Sequence, residues 1–239
     1  MKQVEETKEQ IGPYLNLYQV HSATFDSGIL TNTKVHNALH QICRVQNGWQ
    51  IGLSVSGPNQ SELIREAMKI RVAAVTSSSE DDGDSQNSNP SSIKTQRLFD
   101  SVQCTYNILD QRPFAALVEA HNAGMDIIIK EGLANGRVLS HPSLVELSQQ
   151  LSCNPDQLAL GFVLAQPFKA RVLSGAVTVE QLRSNLGSLY PHPVIANGNV
   201  SGHDMVGNEE RLEILHQLTE RCCMDSEEYW KERSNLKWN

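Results

Sequence analysis

The sequence predicts an α/β fold in which about five parallel strands are covered by outer helices. Short apolar runs alternate with longer amphipathic stretches, and this repeated strand-then-helix order is typical of parallel sheets. Prolines, glycines and Asn or Thr capping residues fall between the runs and set their boundaries. The chain has 239 residues, which is enough for one substantial domain.

The first half of the chain contains two predicted strands. Gly12 and Pro13 end a charged, helix-permissive start, and Asn32 with Thr33 supplies a helix cap. Asn47 and Gly48 form a turn signal, and Pro58 suits the first turn of a helix. The predicted elements are a helix over 1–11, a strand over 14–20, a helix over 34–44, a strand over 49–55 and a helix over 58–71.

The second half contains three more predicted strands. Gly124 is placed to end one helix, and the pair Asn154-Pro155 is placed to begin another. The predicted elements are a strand over 102–109, a helix over 113–123, a strand over 125–129, helices over 142–151 and 155–166, a strand over 170–173 and a helix over 178–186.

The chain divides into a strand-and-helix unit over 1–189 and a C-terminal helical extension over 190–239. Within the first unit, residues 76–95 carry almost nothing apolar, so we expect a disordered insertion there. The extension has an apolar helical face near its middle. Its predicted aromatic anchors are Tyr229, Trp230 and Trp238.

Composition excludes several classes of protein. The net charge of -7 argues against bulk attraction to nucleic acid or to an anionic membrane surface. No apolar run approaches the roughly 18 residues of a membrane span, and no signal-peptide pattern opens the chain. We therefore expect a cytoplasmic protein. The five cysteines match no zinc or CxxC spacing, so we expect reduced thiols and no metal site.

The apolar segment 14–20 ends abruptly in His21, which small polar residues follow. Side chains at the carboxyl ends of barrel strands face the site, and this placement suits a histidine that handles protons. The segment resembles the strand that carries the active-site histidine of the aldo-keto reductases, a family of nicotinamide-dependent (β/α)8 barrels. The resemblance implies that His21 is catalytic, with its imidazole bonded to the substrate carbonyl.

Two further strands resemble strands of that family. The run Gly52-Leu-Ser-Val-Ser56 is similar to its Gly-x-Ser-Asn or Gly-x-Ser-Val segment, and 102–107 is similar to its Gln-x-x-(Tyr/Phe)-Asn segment. The resemblance implies that Ser54 and Gln103 hold the nicotinamide carboxamide. An amide substituent needs both donors and acceptors to fix which face of the ring presents hydride.

The segment 130–138 resembles the family's Gly-Leu-x-x-Gly loop, which lies over the pyrophosphate of the cofactor. Gly132, Leu133 and Gly136 occupy the matching positions. Glycine has no Cβ, so the backbone of such a loop approaches phosphate oxygens closely. The resemblance implies that these three residues bind the cofactor.

The segment 172–186 resembles the strand and short helix that hold the adenosine end of the cofactor. The resemblance implies that Gly175 and Ala176 bind the cofactor and that free backbone N–H groups near the helix N-terminus, from Ala176 to Thr178, hold a phosphate. It also implies that Gln181 and Asn185 face the 2′-phosphate or ribose and the adenine. Gln181 stands where many NADP-using members have arginine, and Ser184 where a glutamate is common. NADP is the expected cofactor, with NAD as the alternative.

The five matches follow the family's order from its fourth strand to its eighth. The resemblance therefore implies a partial, N-terminally truncated barrel, because the Asp, Tyr and Lys of the catalytic tetrad lie on the family's first three strands. Tyr18 shares a strand with His21, but its spacing does not suit it as a substitute. Five strands cannot close an eight-stranded barrel, so we expect an unpaired edge at 14–20 and a partner chain that completes the barrel.

The expected function is NADP(H)-linked interconversion of a small-molecule carbonyl and its alcohol, impaired by the missing tetrad residues. The alternative is a non-catalytic protein that binds the nicotinamide cofactor and serves a regulatory role. A third class, an unrelated α/β barrel without a nicotinamide, predicts that Ser54, Gln103 and Asn185 do not converge in space.

Overall fold

The computed structural model describes residues 2–74, 94–189 and 208–237, and its centre is one sheet of five parallel strands. The strands of the chain are, in order, β1 (Leu17–Ala23), β2 (Gln50–Val55), β3 (Arg71–Ala73), β4 (Thr95–Arg97), β5 (Ser101–Thr105), β6 (Asp126–Lys130) and β7 (Arg171–Val172). The main sheet has the order β1-β2-β5-β6-β7 with every pair parallel, and β3 pairs with β4 antiparallel. The predicted α/β class with five parallel strands is confirmed. The sheet is open within the described residues, with β1 and β7 at its two edges.

Helices connect successive strands of the sheet, as a parallel arrangement requires. They are α1 (Lys2–Ile11), α2 (Thr33–Leu39), α3 (Gln60–Lys69), α4 (Phe114–Asn122), α5 (Pro142–Gln150), α6 (Pro155–Leu164), α7 (Val179–Leu186), α8 (Asn208–Cys222) and α9 (Ser226–Ser234). A π-helical segment over His40–Gln46 continues α2. No helix within the three described ranges is long and apolar enough to cross a membrane.

The alternation of side chains along β2 explains why this strand occupies the interior of the sheet. Ile51, Leu53 and Val55 are fully buried on one face. The intervening positions carry Gly52 and Ser54, and small residues here leave room on the opposite face. The apolar face of β2 therefore lies in the core, and Ser54 lies on the opposite face, where the candidate site is found.

Every predicted strand of the main sheet differs from the prediction at one end or both, and two differ most. β1 begins at Leu17 instead of Tyr14, because Gly12–Tyr14 forms a 3-10 turn around Pro13. It also runs on to Ala23, so His21 lies within the strand and not after it. β5 ends at Thr105 and not at 109, because the side-chain oxygen of Asn107 accepts the backbone N–H groups of Leu109 and Asp110 at 2.9 and 3.1 Å.

The antiparallel pair β3–β4 was not predicted. Thr95 pairs with Ala73, so the last residue of the predicted disordered insertion belongs to a strand. Residues 75–93, which make up nearly all of that insertion, lie outside the described residues. Residues 190–207 and Trp238 of the predicted C-terminal extension lie outside them as well.

Candidate functional site

Most of the predicted cofactor residues line one groove at the carboxyl ends of β6 and β7. The groove has a volume of about 680 Å³ and lies between the loop after β6 and the first turn of α7. We call it the β6–β7 groove. Of the predicted residues, those that line it are Gly132, Leu133, Gly136, Gly175, Ala176, Gln181 and Asn185.

The loop after β6 carries an unusual backbone. Glu131, Ala134 and Asn135 have positive φ angles of 56°, 47° and 57°, and Gly136 follows at 87°. Residues other than glycine rarely adopt this region, and such strain concentrates at functional sites. A Cβ atom on Gly132 would lie 3.1 Å from Leu160 Cδ2, so the absence of a side chain lets the loop pack closely.

The connection from β7 to α7 forms the other wall. Thr178 caps α7, because its Oγ1 accepts the N–H of Gln181 at 3.2 Å. The side chain of Gln181 turns back, and its Oε1 accepts the N–H of Val177 at 2.8 Å. The N–H of Ala176 donates to Ser174 Oγ at 3.3 Å. The family resemblance assigns these backbone N–H groups to a phosphate. In the structure they donate instead to the neutral side-chain oxygens of Ser174 and Gln181.

Asn185, in the last turn of α7, bonds this helix back to Ser174 at the start of the connection. It is 6% exposed, and its Nδ2 donates to the backbone oxygen of Ser174 at 3.2 Å and to Ser174 Oγ at 2.9 Å. The side chain therefore shapes the groove wall as well as lining it.

Ser54 and Gln103 meet on neighbouring strands, as the sequence predicts for a shared amide-binding pair. Ser54 Oγ donates to Gln103 Oε1 at 3.2 Å. Lys130 Nζ donates to Ser54 Oγ at 3.1 Å, and Lys130 also lines the β6–β7 groove. The lysine thus links the Ser54–Gln103 pair to the groove that contains Asn185.

Lys130 was not singled out by the sequence reasoning. The available signal was a lysine that ends the apolar run Ile127-Ile-Ile129, at the carboxyl end of a buried strand. Burial lowers the pKa of its ammonium, and Glu131 acts in the opposite direction. Among the described residues that line the groove, this is the one cation.

His21 lies in a second groove, of about 900 Å³, between β1, α1 and α2. Its ring is exposed, and its Nδ1 lies 2.9 Å from Ser22 Oγ. Ser22 has a positive φ of 51°, and the pairing of β1 with β2 shifts register between Val20 and Ala23. Tyr18 lines this second groove too, and burial raises the pKa of its hydroxyl. The catalytic role of His21 stays a prediction, because the structure does not bring it into the β6–β7 groove.

The C-terminal helix α9 packs on the strand ends beside the β6–β7 groove. Tyr229 is fully buried, and its hydroxyl accepts from Asn107 Nδ2 at 2.9 Å. Arg233 donates through Nε to both carboxylate oxygens of Glu131 at 2.9 Å, and Glu131 lines the groove. Helix α9 therefore holds Glu131, the first residue of the groove loop, through Arg233.

A buried carboxyl group takes part in the same contact. Asp110 is 1% exposed, and its Oδ2 accepts the indole N–H of Trp230 at 3.0 Å. Burial raises the pKa of Asp110, while the hydrogen bond from Trp230 opposes that rise. The folded chain therefore holds this proton more tightly than the unfolded chain, and the contribution to stability is lost as pH rises through the folded pKa.

Asp110→Asn is expected to gain stability relative to the parent as pH increases, because the amide keeps an oxygen for Trp230 and carries no charge to bury. Urea unfolding between about pH 4 and pH 7 measures this difference. Asp26→Asn is the control, because Asp26 is exposed and its substitution also removes one carboxyl group. The same pH dependence in the two variants would contradict the assignment.

Comparison with known proteins bears on the fold of the chain. No protein-family model matches the chain. A 46-residue stretch is 44% identical to Protein tas of Escherichia coli, which is 19% of this chain and 13% of that protein.

Solved structures match over almost the whole chain. The aldo-keto reductase AKR11C1 from Bacillus halodurans superposes with a TM-score of 0.58 and 19% identity, over 95% of this chain and 68% of that one. An aldo/keto reductase from Klebsiella pneumoniae in complex with NADP and acetate superposes with a TM-score of 0.56 and 14% identity, over 90% of this chain and 63% of that one. The chain thus spans about two thirds of these enzymes. In fold, it is similar to the aldo-keto reductases, as the ordered set of sequence motifs predicts.

Proposed function

We propose that the chain binds NADP(H) in the β6–β7 groove as part of a carbonyl–alcohol oxidoreductase of the aldo-keto reductase kind. The observation that carries this proposal is the convergence of seven predicted positions on one groove, joined through Lys130 to Ser54 and Gln103. The NADP held by the Klebsiella pneumoniae neighbour supports this choice of cofactor. NAD is the alternative.

The groove has the donors that an extended dinucleotide needs. At one end, the amides of Ala176 and Val177 already meet oxygens of Ser174 and Gln181 at 3.3 and 2.8 Å. A phosphate oxygen would replace the Gln181 oxygen with a charged acceptor, which strengthens the bond. Beside the groove, Ser54 and Gln103, which Lys130 joins to it, offer a hydroxyl and an amide to a carboxamide.

The cofactor would supply the hydride chemistry. In this proposal Ser54 and Gln103 set the face of the ring, and the groove loop from Gly132 to Gly136 lies along the pyrophosphate. His21 would act on the substrate carbonyl, but it lines the other groove. That separation favours the second candidate function, in which the chain binds the cofactor and turns over little or no carbonyl substrate.

Ala176→Asp tests the proposed site, because a carboxylate beside the bound phosphate repels it. At an effective dielectric constant near 20, two charges a few ångströms apart repel by more than the ~1.4 kcal/mol that corresponds to a tenfold change in affinity. We therefore expect the Kd for NADPH, from titration of its fluorescence, to rise about tenfold or more.

Ala38→Asp is the control, since Ala38 lines the second groove and receives the same charge there. Equal losses in the two variants, or no NADPH binding by the parent, would overturn the proposal. Titration with NADH decides between the two dinucleotides. Oxidation of NADPH by the parent with short aldehydes separates the reductase from the non-catalytic binding protein.

A further inference from the structure

The placement of Lys130 suggests a chemistry that does not need a nicotinamide. Its ammonium ends β6 at the carboxyl edge of the parallel sheet and lines the β6–β7 groove. Side chains in this position face the site of an α/β fold. The groove holds about 680 Å³, which is ample for a small molecule beside the amine.

The charged and titratable groups around Lys130 leave it without a fixed counter-ion. Glu131 acts on it from the groove loop, Cys104 from β5 and Arg233 from α9. The carboxylate of Glu131 is committed to Arg233, whose Nε lies 2.9 Å from both of its oxygens. Within the part of the chain that the structure describes, no carboxylate lies within ion-pair distance of Lys130 Nζ.

A neutral hydroxyl is the partner that Lys130 does have. Its Nζ donates a hydrogen bond to Ser54 Oγ at 3.1 Å, and Ser54 Oγ donates one to Gln103 Oε1 at 3.2 Å. A half-buried amine without a carboxylate partner gives up its proton more readily than a solvated lysine, and burial does lower the pKa of Lys130. The neutral amine is the nucleophilic form.

We propose that Lys130 is a nucleophilic lysine that captures small aldehydes or ketones as an imine in the β6–β7 groove. The nitrogen lone pair forms a C–N bond to the carbonyl carbon, and the π electrons of the C=O bond move to oxygen. The oxygen takes up a proton as the nitrogen releases one, and the Ser54 hydroxyl relays it when it turns from Gln103 Oε1 to the carbinolamine oxygen. The carbinolamine oxygen then takes up a second proton and leaves as water while the nitrogen lone pair forms the C=N bond. The resulting iminium ion returns its N–H proton to solvent, so amine and carbonyl give imine and water without oxidation or reduction.

Borohydride trapping tests this directly on the intact chain. Glyceraldehyde is added at neutral pH without any nucleotide, sodium borohydride reduces the imine to a stable secondary amine, and peptide mass spectrometry locates the adduct. We expect Lys130 to be labelled several times faster than Lys69. Lys69 is an exposed, matched lysine whose Nζ lies 2.6 Å from Glu66. Equal labelling of the two lysines overturns the proposal.

Three variants and one pH series complete the test. Lys130→Arg keeps the charge and is expected to lose the fast adduct. Lys69→Arg also keeps the charge and is expected to retain the fast adduct at Lys130. Ser54→Ala removes the relay and is expected to slow labelling while leaving it at Lys130. In the parent chain, which needs no substitution to fold, labelling of Lys130 should persist to lower pH than labelling of Lys69. Parallel loss of both labels as pH falls contradicts the proposal.

Discussion

Replacing Arg233 with methionine is expected to lower the free energy of unfolding by about 2–4 kcal/mol. The guanidinium of Arg233 meets both oxygens of Glu131, and the two side chains are 22% and 11% exposed. Without the arginine, the Glu131 carboxylate stays buried with the Tyr229 hydroxyl at 3.4 Å as its remaining side-chain donor among these contacts. An uncompensated buried charge is costly, and residual exposure keeps the effect below that of a fully buried pair.

Urea unfolding at neutral pH measures the loss, with Lys231→Met as the control. Lys231 lies on the same helix and is exposed, so its substitution should change the free energy of unfolding by less than about 0.5 kcal/mol. Adding Glu131→Gln to the Arg233→Met chain should recover part of the loss, because the isolated charge is then removed. Equal effects of Arg233→Met and Lys231→Met would show that α9 does not depend on this pair.

The strands show which parts of the fold the sequence could predict. The five strands of the main sheet were found in the right order because each contains a short apolar run between turn residues, a pattern that is visible locally. Their ends were less accurate, since a single Asn107 side chain stops β5 and the turn around Pro13 delays β1. The pair β3–β4 has three residues on each side and a long intervening segment, so no local turn signal marks it.

The candidate site divides in the same way. Glycines in the loop after β6 and the Thr178 cap of α7 are local features. The glycines line the β6–β7 groove, and the cap begins the helix that supplies Gln181 and Asn185 to it. The contact of Arg233 with Glu131 spans 102 residues along the chain, and no pattern near either residue indicates it. The hydrogen bond of Lys130 to Ser54 joins residues 76 positions apart, so it too has no signal in the local sequence.

Gly52→Ala is expected to destabilise the chain by about 1–3 kcal/mol, through overpacking inside the sheet. A Cβ atom at this position would lie 2.6 Å from Gln19 Cγ on β1 and 2.6 Å from Ser101 Oγ on β5. Both distances are far below ordinary van der Waals contact, so the side chains of Gln19 and Ser101 have to shift or β2 has to move away from its neighbours. Ser54 lies two residues further along the same face of β2, so its hydrogen bond to Gln103 should be weakened as well.

Thermal and urea unfolding measure the first effect, and the Kd for NADPH measures the second. Gly12→Ala is the control, because its added Cβ would lie 3.4 Å from Lys8 Cγ, a contact that a flexible side chain accommodates. Ser101→Ala in the Gly52→Ala chain removes one of the two clashing atoms and should restore part of the stability, while the clash with Gln19 remains. If the double variant is no more stable than Gly52→Ala, the spacing of β1, β2 and β5 is not set by the missing side chain at position 52. The close approach of these strands must then have another cause.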